Sequence, residues 1–205
     1  MLYQQAKYLT SAVKISQLPK DEGAEVAFMG RSNSGKSSAL NTITGIKGLA
    51  RTSSTPGRTQ MINLFGLDDS HTLVDLPGYG YAAAPKTDIK AWSGLTRKFL
   101  VGRPSLQRVF LLIDSRRGVG RSDEDIMQVL DDAAVSWAVV LTKSDKLKPF
   151  QIDKTVENTY AKIRRHVAAF PEIFITSSET KNGIEYLRAH MAGFALPKFN
   201  HSSYT

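Results

Sequence analysis

The segment GRSNSGKS at residues 30–37 constrains the fold of this chain more than any other part of the sequence. It matches the pattern G-x-x-x-x-G-K-[ST], in which a glycine-rich backbone wraps around phosphate oxygens. That pattern requires a strand before the loop and a helix after it. Both are indicated, because the apolar run EVAFMG precedes the loop and SSALNTITG follows it with helical spacing. The segment therefore predicts a P-loop NTPase domain.

Apolar, β-rich runs alternate with helix-like segments along the rest of the chain. Strands are predicted at 25–30, 60–67, 71–76, 108–114, 137–143 and 172–178. Helices are predicted at 37–45, 87–102, 122–134, 153–170 and 183–196, where apolar residues recur at three- and four-residue steps. Such alternation is typical of a parallel sheet whose crossover helices cover both faces. We expect a three-layer, doubly wound α/β fold with a mostly parallel six-stranded sheet.

Length and composition bound the class of protein. The chain has 205 residues, which suits one domain, and we place that domain at 23–196, between an N-terminal extension at 1–22 and a C-terminal tail at 197–205. It contains no cysteine, which excludes disulfides and thiolate-bound metals and is compatible with a reducing cytoplasm. No apolar run approaches the ~20 residues that cross a bilayer. We expect a monomeric, cytoplasmic protein without a membrane partner.

The glycine-rich loop supplies the phosphate ligands. Its backbone N–H groups and the positive end of the following helix are suited to phosphate oxygens. Lys36 is expected to neutralise the β- and γ-phosphates, and the Ser37 hydroxyl is expected to bind Mg²⁺. The predicted phosphate-binding residues are Gly30, Arg31, Ser32, Asn33, Ser34, Gly35, Lys36, Ser37 and Ser38.

A second motif, DLPG at 75–78, ends the third predicted strand. Asp75 is therefore expected at the carboxyl edge of the sheet, where it would hold Mg²⁺ through water. Gly78 is expected to present its N–H to a γ-phosphate and to release it after hydrolysis, as nucleotide-dependent switches do. The connections at 44–59 and 77–86 are long and rich in glycine and proline, which supports a functional role for both.

The motif TKSD at 142–145 follows the fifth predicted strand and is the candidate base reader. The carboxylate of Asp145 can accept two hydrogen bonds from the N1–H and N2 amine of guanine, whereas adenine offers neither donor. Lys143 can cover the purine and ribose. The following SSE, at 177–179, can supply a backbone N–H to guanine O6. The Asp145 carboxylate is expected to select GTP over ATP. The predicted guanine-side residues are Thr142, Lys143, Asp145, Ser177, Ser178 and Glu179.

Taken in order, GRSNSGKS, TPGRT, DLPG, TKSD and SSE resemble the motifs of translation-factor-class GTPases with a small G-protein fold. SSTPGRTQMINLF and VDLPGYGYA narrow the resemblance, over roughly residues 3–197, to the EngB family of bacterial ribosome-assembly GTPases. The resemblance implies that Thr59 is the switch threonine that completes Mg²⁺ coordination, with Gly57 in the nucleotide site. It also implies a precursor of the large ribosomal subunit as partner, with its rRNA and ribosomal proteins, and a role in cell division and septation.

The catalytic residues implied for hydrolysis are Lys36, Asn33, Thr59 and Gly78. Tyr79 stands where Ras-type GTPases hold a water-orienting glutamine, so a low intrinsic rate is expected. Asn33 occupies the position at which related GTPases hold a monovalent cation, which makes potassium-assisted hydrolysis available. Alternatively, Asn33 only tolerates a left-handed backbone in the loop. A nucleotide-gated binding protein with negligible turnover remains open, whereas TKSD disfavours an ATP-dependent kinase.

The net charge of +8 favours a polyanionic partner. Basic residues cluster in DSRRGVGR, TKSDKLK and KIRRHV, and we interpret them as candidate contacts to ribosomal RNA; the alternative is an ordinary solvated face. They are Arg116, Arg117, Arg121, Lys143, Lys146, Lys148, Lys162, Arg164 and Arg165.

Overall fold

The computed structural model describes the backbone of residues 2–20, 22–50, 61–80 and 87–194. Seven strands and five α-helices alternate along these ranges. The strands are β1 (Lys7–Ala12), β2 (Ala24–Gly30), β3 (Ile62–Gly66), β4 (His71–Asp75), β5 (Leu106–Asp114), β6 (Trp137–Thr142) and β7 (Ala169–Ile175). The helices are α1 (Lys36–Thr44), α2 (Thr87–Gly102), α3 (Arg121–Asp132), α4 (Pro149–Ile163) and α5 (Ile184–Ala192).

One sheet organises the molecule, with strand order β1-β3-β4-β2-β5-β6-β7. The strands from β4 to β7 in this order are parallel, and β1 and β3 extend the sheet in antiparallel fashion. The predicted α/β fold with a mostly parallel sheet is confirmed. The predicted number of six strands is wrong, because β1 adds a seventh from the segment interpreted as an extension. Of its six residues only Ala12 is buried, so no apolar alternation revealed this edge strand.

Two apolar layers cover the faces of the sheet. On one face Leu40 of α1 and Leu187 of α5 pack with Phe110 of β5. On the other face Met127 of α3 packs with Leu111 of β5 in a cluster that also includes side chains of α2 and α4. Burying side chains of this size contributes about 1.5–3 kcal/mol each. The central strands β2 and β6 are buried along their whole length, which explains why they read as continuous apolar runs.

The boundary between α4 and β7 differs from the prediction. The helix expected at 153–170 ends at Ile163, and the strand expected at 172–178 begins at Ala169. Pro171 lies within β7, which is tolerated because β7 is the last strand in the sheet order. The strand ends at Ile175, so residues 177–179 lie in the loop that follows it, as the site prediction requires.

The parallel strands place the chemistry-bearing residues together. Gly30, Asp75, Asp114 and Thr142 each occupy the carboxyl end of a strand, and these strands are neighbours in the sheet. In open α/β sheets ligands bind at this edge. None of the helices in the described ranges is long and apolar enough to cross a membrane.

Candidate functional site

The loop at 30–37 connects β2 to α1 in a conformation that its residue types permit. A Cβ on Gly30 would lie 2.4 Å from the Ser34 Oγ and 2.8 Å from the Leu112 carbonyl oxygen, so only glycine fits there. Asn33 and Gly35 adopt left-handed backbone conformations, with φ of 65° and 91°. The loop therefore turns tightly into the first turn of α1, where Lys36 and Ser37 lie. A helix N-terminus preceded by such a turn is suited to phosphate binding.

Lys36 and Asp75 meet at the centre of the site. The Lys36 ammonium forms an ion pair with Oδ1 of Asp75, and the two side chains are 15% and 9% exposed. Lys36 comes from α1, and Asp75 comes from the end of β4. The structure thus brings the predicted phosphate-neutralising lysine and the candidate metal-binding carboxylate together. A phosphate that enters the loop competes with Asp75 for the ammonium group.

The DLPG segment lies directly against the phosphate loop. The Tyr79 N–H donates to the Gly30 carbonyl at 3.3 Å, and the Ser32 N–H donates to the Tyr79 carbonyl at 3.2 Å. A Cβ on Gly78 would lie 3.3 Å from the Gly30 carbonyl oxygen. The DLPG segment is therefore joined by hydrogen bonds to the predicted phosphate loop.

Tyr79 lies in the core rather than in solvent. Its ring is 6% exposed, and its hydroxyl donates to Oδ1 of Asp123 at 2.7 Å. Oδ2 of Asp123 accepts the Gly120 N–H at 2.8 Å, which caps the first turn of α3. Burial, and then the nearby Asp123 carboxylate, raise the pKa of Tyr79 well above its usual value. Asp123 is not among the residues predicted from sequence, although an acidic residue in the first turn is typical of a helix N-terminus.

The TKSD motif contacts the phosphate loop from the other side. Lys143 Nζ donates to the Asn33 carbonyl at 2.6 Å and to Oδ2 of Asp114 at 2.9 Å. The Thr142 hydroxyl donates to the Ser34 carbonyl at 2.5 Å. These bonds join the TKSD segment to the predicted phosphate loop.

Asp114 anchors Lys143 and was not among the predicted site residues. Burial opposes ionisation of this carboxyl, but hydrogen bonds from Arg116 and Lys143 hold its pKa below the usual range. The sequence does contain a signal for Asp114, because this residue ends a buried strand, as Asp75 does. The Asp114–Lys143 ion pair holds the Lys143 ammonium at the carboxyl edge of the sheet, beside the predicted phosphate loop.

Asp145 is oriented as an ionised acceptor. The Ser177 hydroxyl donates to its Oδ1 at 2.6 Å, and Lys146 Nζ lies 3.0 Å from its Oδ2. These contacts, with Ser177 first, lower the pKa of Asp145. Ser177 Oγ also accepts the N–H groups of Glu179 at 3.2 Å and Thr180 at 3.1 Å, which organises the SSE loop. The two guanine-side segments predicted from sequence are thus joined by a hydrogen bond.

The remaining predicted site residues differ in their exposure, and two of them lie outside the described ranges. Ser38 is exposed, Ser178 is half-buried, and Gly57 and Thr59 lie outside the described residues. The Asn33 side chain is exposed, and its left-handed backbone agrees with the interpretation that asparagine is tolerated there for conformational reasons. Arg31 Nε and the Ser32 and Ser34 hydroxyls are buried without a hydrogen-bond partner in the described part of the chain. These are donors that a bound phosphate group could satisfy.

The donor set fits Mg²⁺ as a partner of a bound nucleotide. Ser37 offers a hydroxyl and Asp75 a carboxylate, which are hard oxygen ligands of the kind Mg²⁺ uses alongside phosphate and water. Within the described ranges there is no group of three or more His, Cys, Asp or Glu side chains that would hold a metal by itself. The site therefore suits a metal that arrives with phosphate oxygens rather than one held by a protein cage.

Comparisons with known proteins agree with this geometry. Residues 25–143 match the family model described as "50S ribosome-binding GTPase". The "Probable GTP-binding protein EngB" of Rhodospirillum rubrum is 49% identical over 199 residues, which cover 95% of this chain and 86% of the relative. The protein of the same name from Jannaschia sp. is 52% identical over 185 residues, covering 90% of this chain and 85% of the relative.

Solved structures share the fold. A crystal structure of a probable GTP-binding protein EngB superposes with a TM-score of 0.66 at 21% identity, covering 83% of this chain and 98% of that chain. Era in complex with MgGDPNP and nucleotides 1506–1542 of 16S ribosomal RNA gives 0.65 at 20% identity, covering 86% of this chain and 58% of that chain. Family model, relatives and site geometry agree that this chain belongs to the EngB family of GTP-binding proteins and is a GTPase.

Proposed function

We propose that this GTPase is a nucleotide switch in the assembly of the large ribosomal subunit, with Mg²⁺ as its cofactor and slow intrinsic hydrolysis. The observation that carries the proposal is the hydrogen bonding between the phosphate loop and the DLPG segment, through Gly30, Ser32 and Tyr79. It gives nucleotide state a direct route to the DLPG segment, which would act as a switch. The ribosomal partner is supported by the "50S ribosome-binding GTPase" description of the matched family. The resemblance to the family also supports a role of the switch in cell division and septation. It likewise supports a location in the cytoplasm.

Each residue of the site has a role in this proposal. Lys36 leaves Asp75 to neutralise the β- and γ-phosphates, while loop N–H groups surround the phosphate oxygens. Asp145 accepts the guanine donors, and Lys143 covers the base. Ser37, Asp75 and the switch threonine Thr59 would hold Mg²⁺. The metal would supply positive charge near the β- and γ-phosphate oxygens when bound.

Slow hydrolysis follows from what surrounds the γ-phosphate. Tyr79 offers no amide to orient water, and its hydroxyl is held by Asp123. We propose that a potassium ion at Asn33 compensates in part. In potassium buffer the wild-type turnover rate is expected to exceed that in sodium buffer, because added positive charge between the phosphates stabilises the transition state. Steady-state GTP turnover in matched buffers measures this, with nucleotide affinity determined alongside.

Asn33→Ala tests the assignment of that cation. The variant is expected to turn over GTP equally in potassium and sodium, with its GDP affinity within about twofold of wild type, since a side-chain hydrogen bond contributes modestly. Equal wild-type rates in the two salts would remove the cation from the proposal. In that case the missing catalytic group would have to come from the ribosomal partner.

The ion pairs reduce the set of basic residues that are good candidates for contact with rRNA. Of the nine basic residues singled out above, Arg116 and Lys143 pair with Asp114, Lys146 with Asp145, and Lys162 with Glu124. Among the described residues no ion pair engages the other five, and all of these are exposed. They are Arg117, Arg121, Lys148, Arg164 and Arg165. These unpaired cations are the better candidates for phosphate contacts.

Association with large-subunit particles is expected to weaken steeply with salt and to be tighter with a GTP analogue than with GDP. Removing two phosphate contacts by the double change Arg164→Ala and Arg165→Ala should reduce the slope of log affinity against log salt by about two. Co-sedimentation with purified particles between 50 and 200 mM salt measures this. Lys14→Ala, an exposed cation elsewhere on the chain, serves as the matched control. An unchanged slope in the double variant would assign the charge to solubility alone.

A second candidate is a nucleotide-gated binding protein with negligible turnover. The buried Tyr79–Asp123 hydrogen bond favours it, because the residue after DLPG is committed to the core. Single-turnover hydrolysis by the monomeric protein, with and without large-subunit particles, separates the two. Turnover by the isolated protein, or by the particle-bound form alone, supports the enzyme; no turnover in either sample supports the gated binder.

A further inference from the structure

Three polar residues occupy one row across the antiparallel part of the sheet. Ser11 of β1 lies opposite Asn63 of β3, and Asn63 lies opposite Asp75 of β4. Directly opposed residues in antiparallel strands place their side chains next to each other on the same face. Asp75 is 7% exposed, and the other two are half-buried. The row leads from the edge of the sheet to the phosphate site.

The side chains of this row form a chain of donors that runs in one direction. Tyr8 Oη donates to Ser11 Oγ at 2.8 Å, and Ser11 Oγ donates to Asn63 Oδ1 at 2.6 Å. The opposite side of the amide, Nδ2 of Asn63, donates to Asp75 Oδ2 at 3.2 Å. Because an ionised carboxylate can only accept, the amide NH₂ must face Asp75, and the amide oxygen is left to accept from Ser11. A flipped amide would place its oxygen against Asp75, where two acceptors repel.

The two oxygens of Asp75 therefore have different partners. Oδ1 is paired with Lys36, and Oδ2 accepts from Asn63. A bound nucleotide would draw Lys36 away from Asp75, because the phosphates of the nucleotide need the ammonium group. The second partner belongs to the sheet and does not have to move. The orientation of the carboxylate during nucleotide binding is thus left to Asn63.

We propose that Asn63, with its amide oxygen held by Ser11, is a positioning residue that aims the Asp75 carboxylate at the Mg²⁺–nucleotide complex. The proposal rests on the Mg²⁺ role given to Asp75 above. It makes strand β1 part of the nucleotide site, although β1 lies outside the 25–143 region that matches the family model. A carboxylate held by one directed donor loses less rotational freedom when the metal complex binds, which strengthens that binding.

The test uses two nearly isosteric substitutions at Ser11. Threonine retains the hydroxyl and valine removes it, and both β-branched residues suit a strand. The measurement is the Mg²⁺ concentration that gives half-maximal retention of fluorescent GDP by the full-length protein. Ser11→Val is expected to raise that concentration about three- to tenfold, which is the weight of one directed hydrogen bond, whereas Ser11→Thr stays within about twofold of wild type. Asn63→Ala is expected to match or exceed the effect of Ser11→Val.

Controls separate positioning from damage to the fold. GDP affinity in EDTA should be the same for wild type, Ser11→Thr and Ser11→Val, because the row acts only through the metal complex. Thr10→Val, on the neighbouring residue opposite Leu64, should leave the Mg²⁺ concentration unchanged. Identical Mg²⁺ dependence of the valine and threonine variants would overturn the proposal, as would an equal loss of affinity in EDTA. If the wild type itself retains GDP independently of Mg²⁺, the metal role of Asp75 fails first, and this inference fails with it.

Discussion

Replacing Asp145 by asparagine is expected to shift this GTPase from guanosine to xanthosine nucleotides. Asp145 is an ionised acceptor, oriented by the Ser177 hydroxyl and Lys146, with two oxygens for the N1–H and N2 amine of guanine. Asparagine keeps one acceptor and presents an NH₂ where the second donor arrives. Loss of a charge-assisted hydrogen bond, together with an opposed donor pair, should weaken GTP binding by roughly a hundredfold or more. Xanthine offers an oxygen at C2 that suits the new donor, so XTP binding should strengthen.

Fluorescent GDP and XDP titrations of the same preparation measure this change in preference. Asp125→Asn is a matched control, because Asp125 is an exposed aspartate on α3 rather than part of the base motif. It should retain the GTP affinity of wild type. Ser177→Ala tests the orientation of Asp145 separately and should weaken GTP without favouring XTP, since it leaves the carboxylate in place. If Asp145→Asn binds GTP as wild type does, Asp145 does not read the base.

The fold could be predicted because local and global signals agree. The loop at 30–37 predicts a strand before it and a helix after it, and the buried runs of β2, β5 and β6 are apolar along most of their length. Strand β1 was missed for a physical reason: at the edge of the sheet its stability comes from backbone pairing with β3, while its side chains are mostly exposed. Backbone pairing leaves no pattern in the sequence.

The residues of the candidate site also fall into two groups, those that a motif indicates and those that only the tertiary fold reveals. Lys36, Asp75, Lys143 and Asp145 could be proposed because each lies at a fixed place in a motif, and the structure brings them to one edge of the sheet. Their roles toward the nucleotide stay predictions. The supporting residues were missed because their roles depend on register between strands that are far apart in sequence. Asn63 becomes a partner of the Asp75 carboxylate only because β3 pairs with β4 at that position.

Tyr79, the residue that follows DLPG, is a further case in which the sequence indicates only part of the role. The identity of Tyr79 predicts that no amide orients water there. Its burial against Asp123 could not be inferred, because α3 contacts this segment only through the tertiary fold. Tertiary packing thus decides whether a motif neighbour faces the substrate or the core.

Replacing Lys36 by methionine is expected to cause the largest loss of nucleotide binding of any single change. Methionine is similar in length but carries no charge, so the β- and γ-phosphates lose their ammonium partner. Removing one partner from a desolvated ion pair costs about 3–5 kcal/mol, which corresponds to roughly a few hundred- to a few thousandfold in affinity. Titration of GDP and of a GTP analogue, in Mg²⁺ and in EDTA, should show the loss in both conditions.

The decisive comparison is Asp75→Asn, which breaks the same Lys36–Asp75 ion pair from the other side. In this variant Lys36 no longer has to leave a carboxylate before it meets a phosphate, so GDP affinity in EDTA should rise above that of wild type. In Mg²⁺ the variant should lose affinity relative to wild type, because the amide is a poorer partner for the metal complex than a carboxylate. Lys36→Met and Asp75→Asn therefore have opposite signs in EDTA and the same sign in Mg²⁺. A fall in EDTA affinity for both variants would show that the ion pair supports the loop structure rather than competing with the nucleotide.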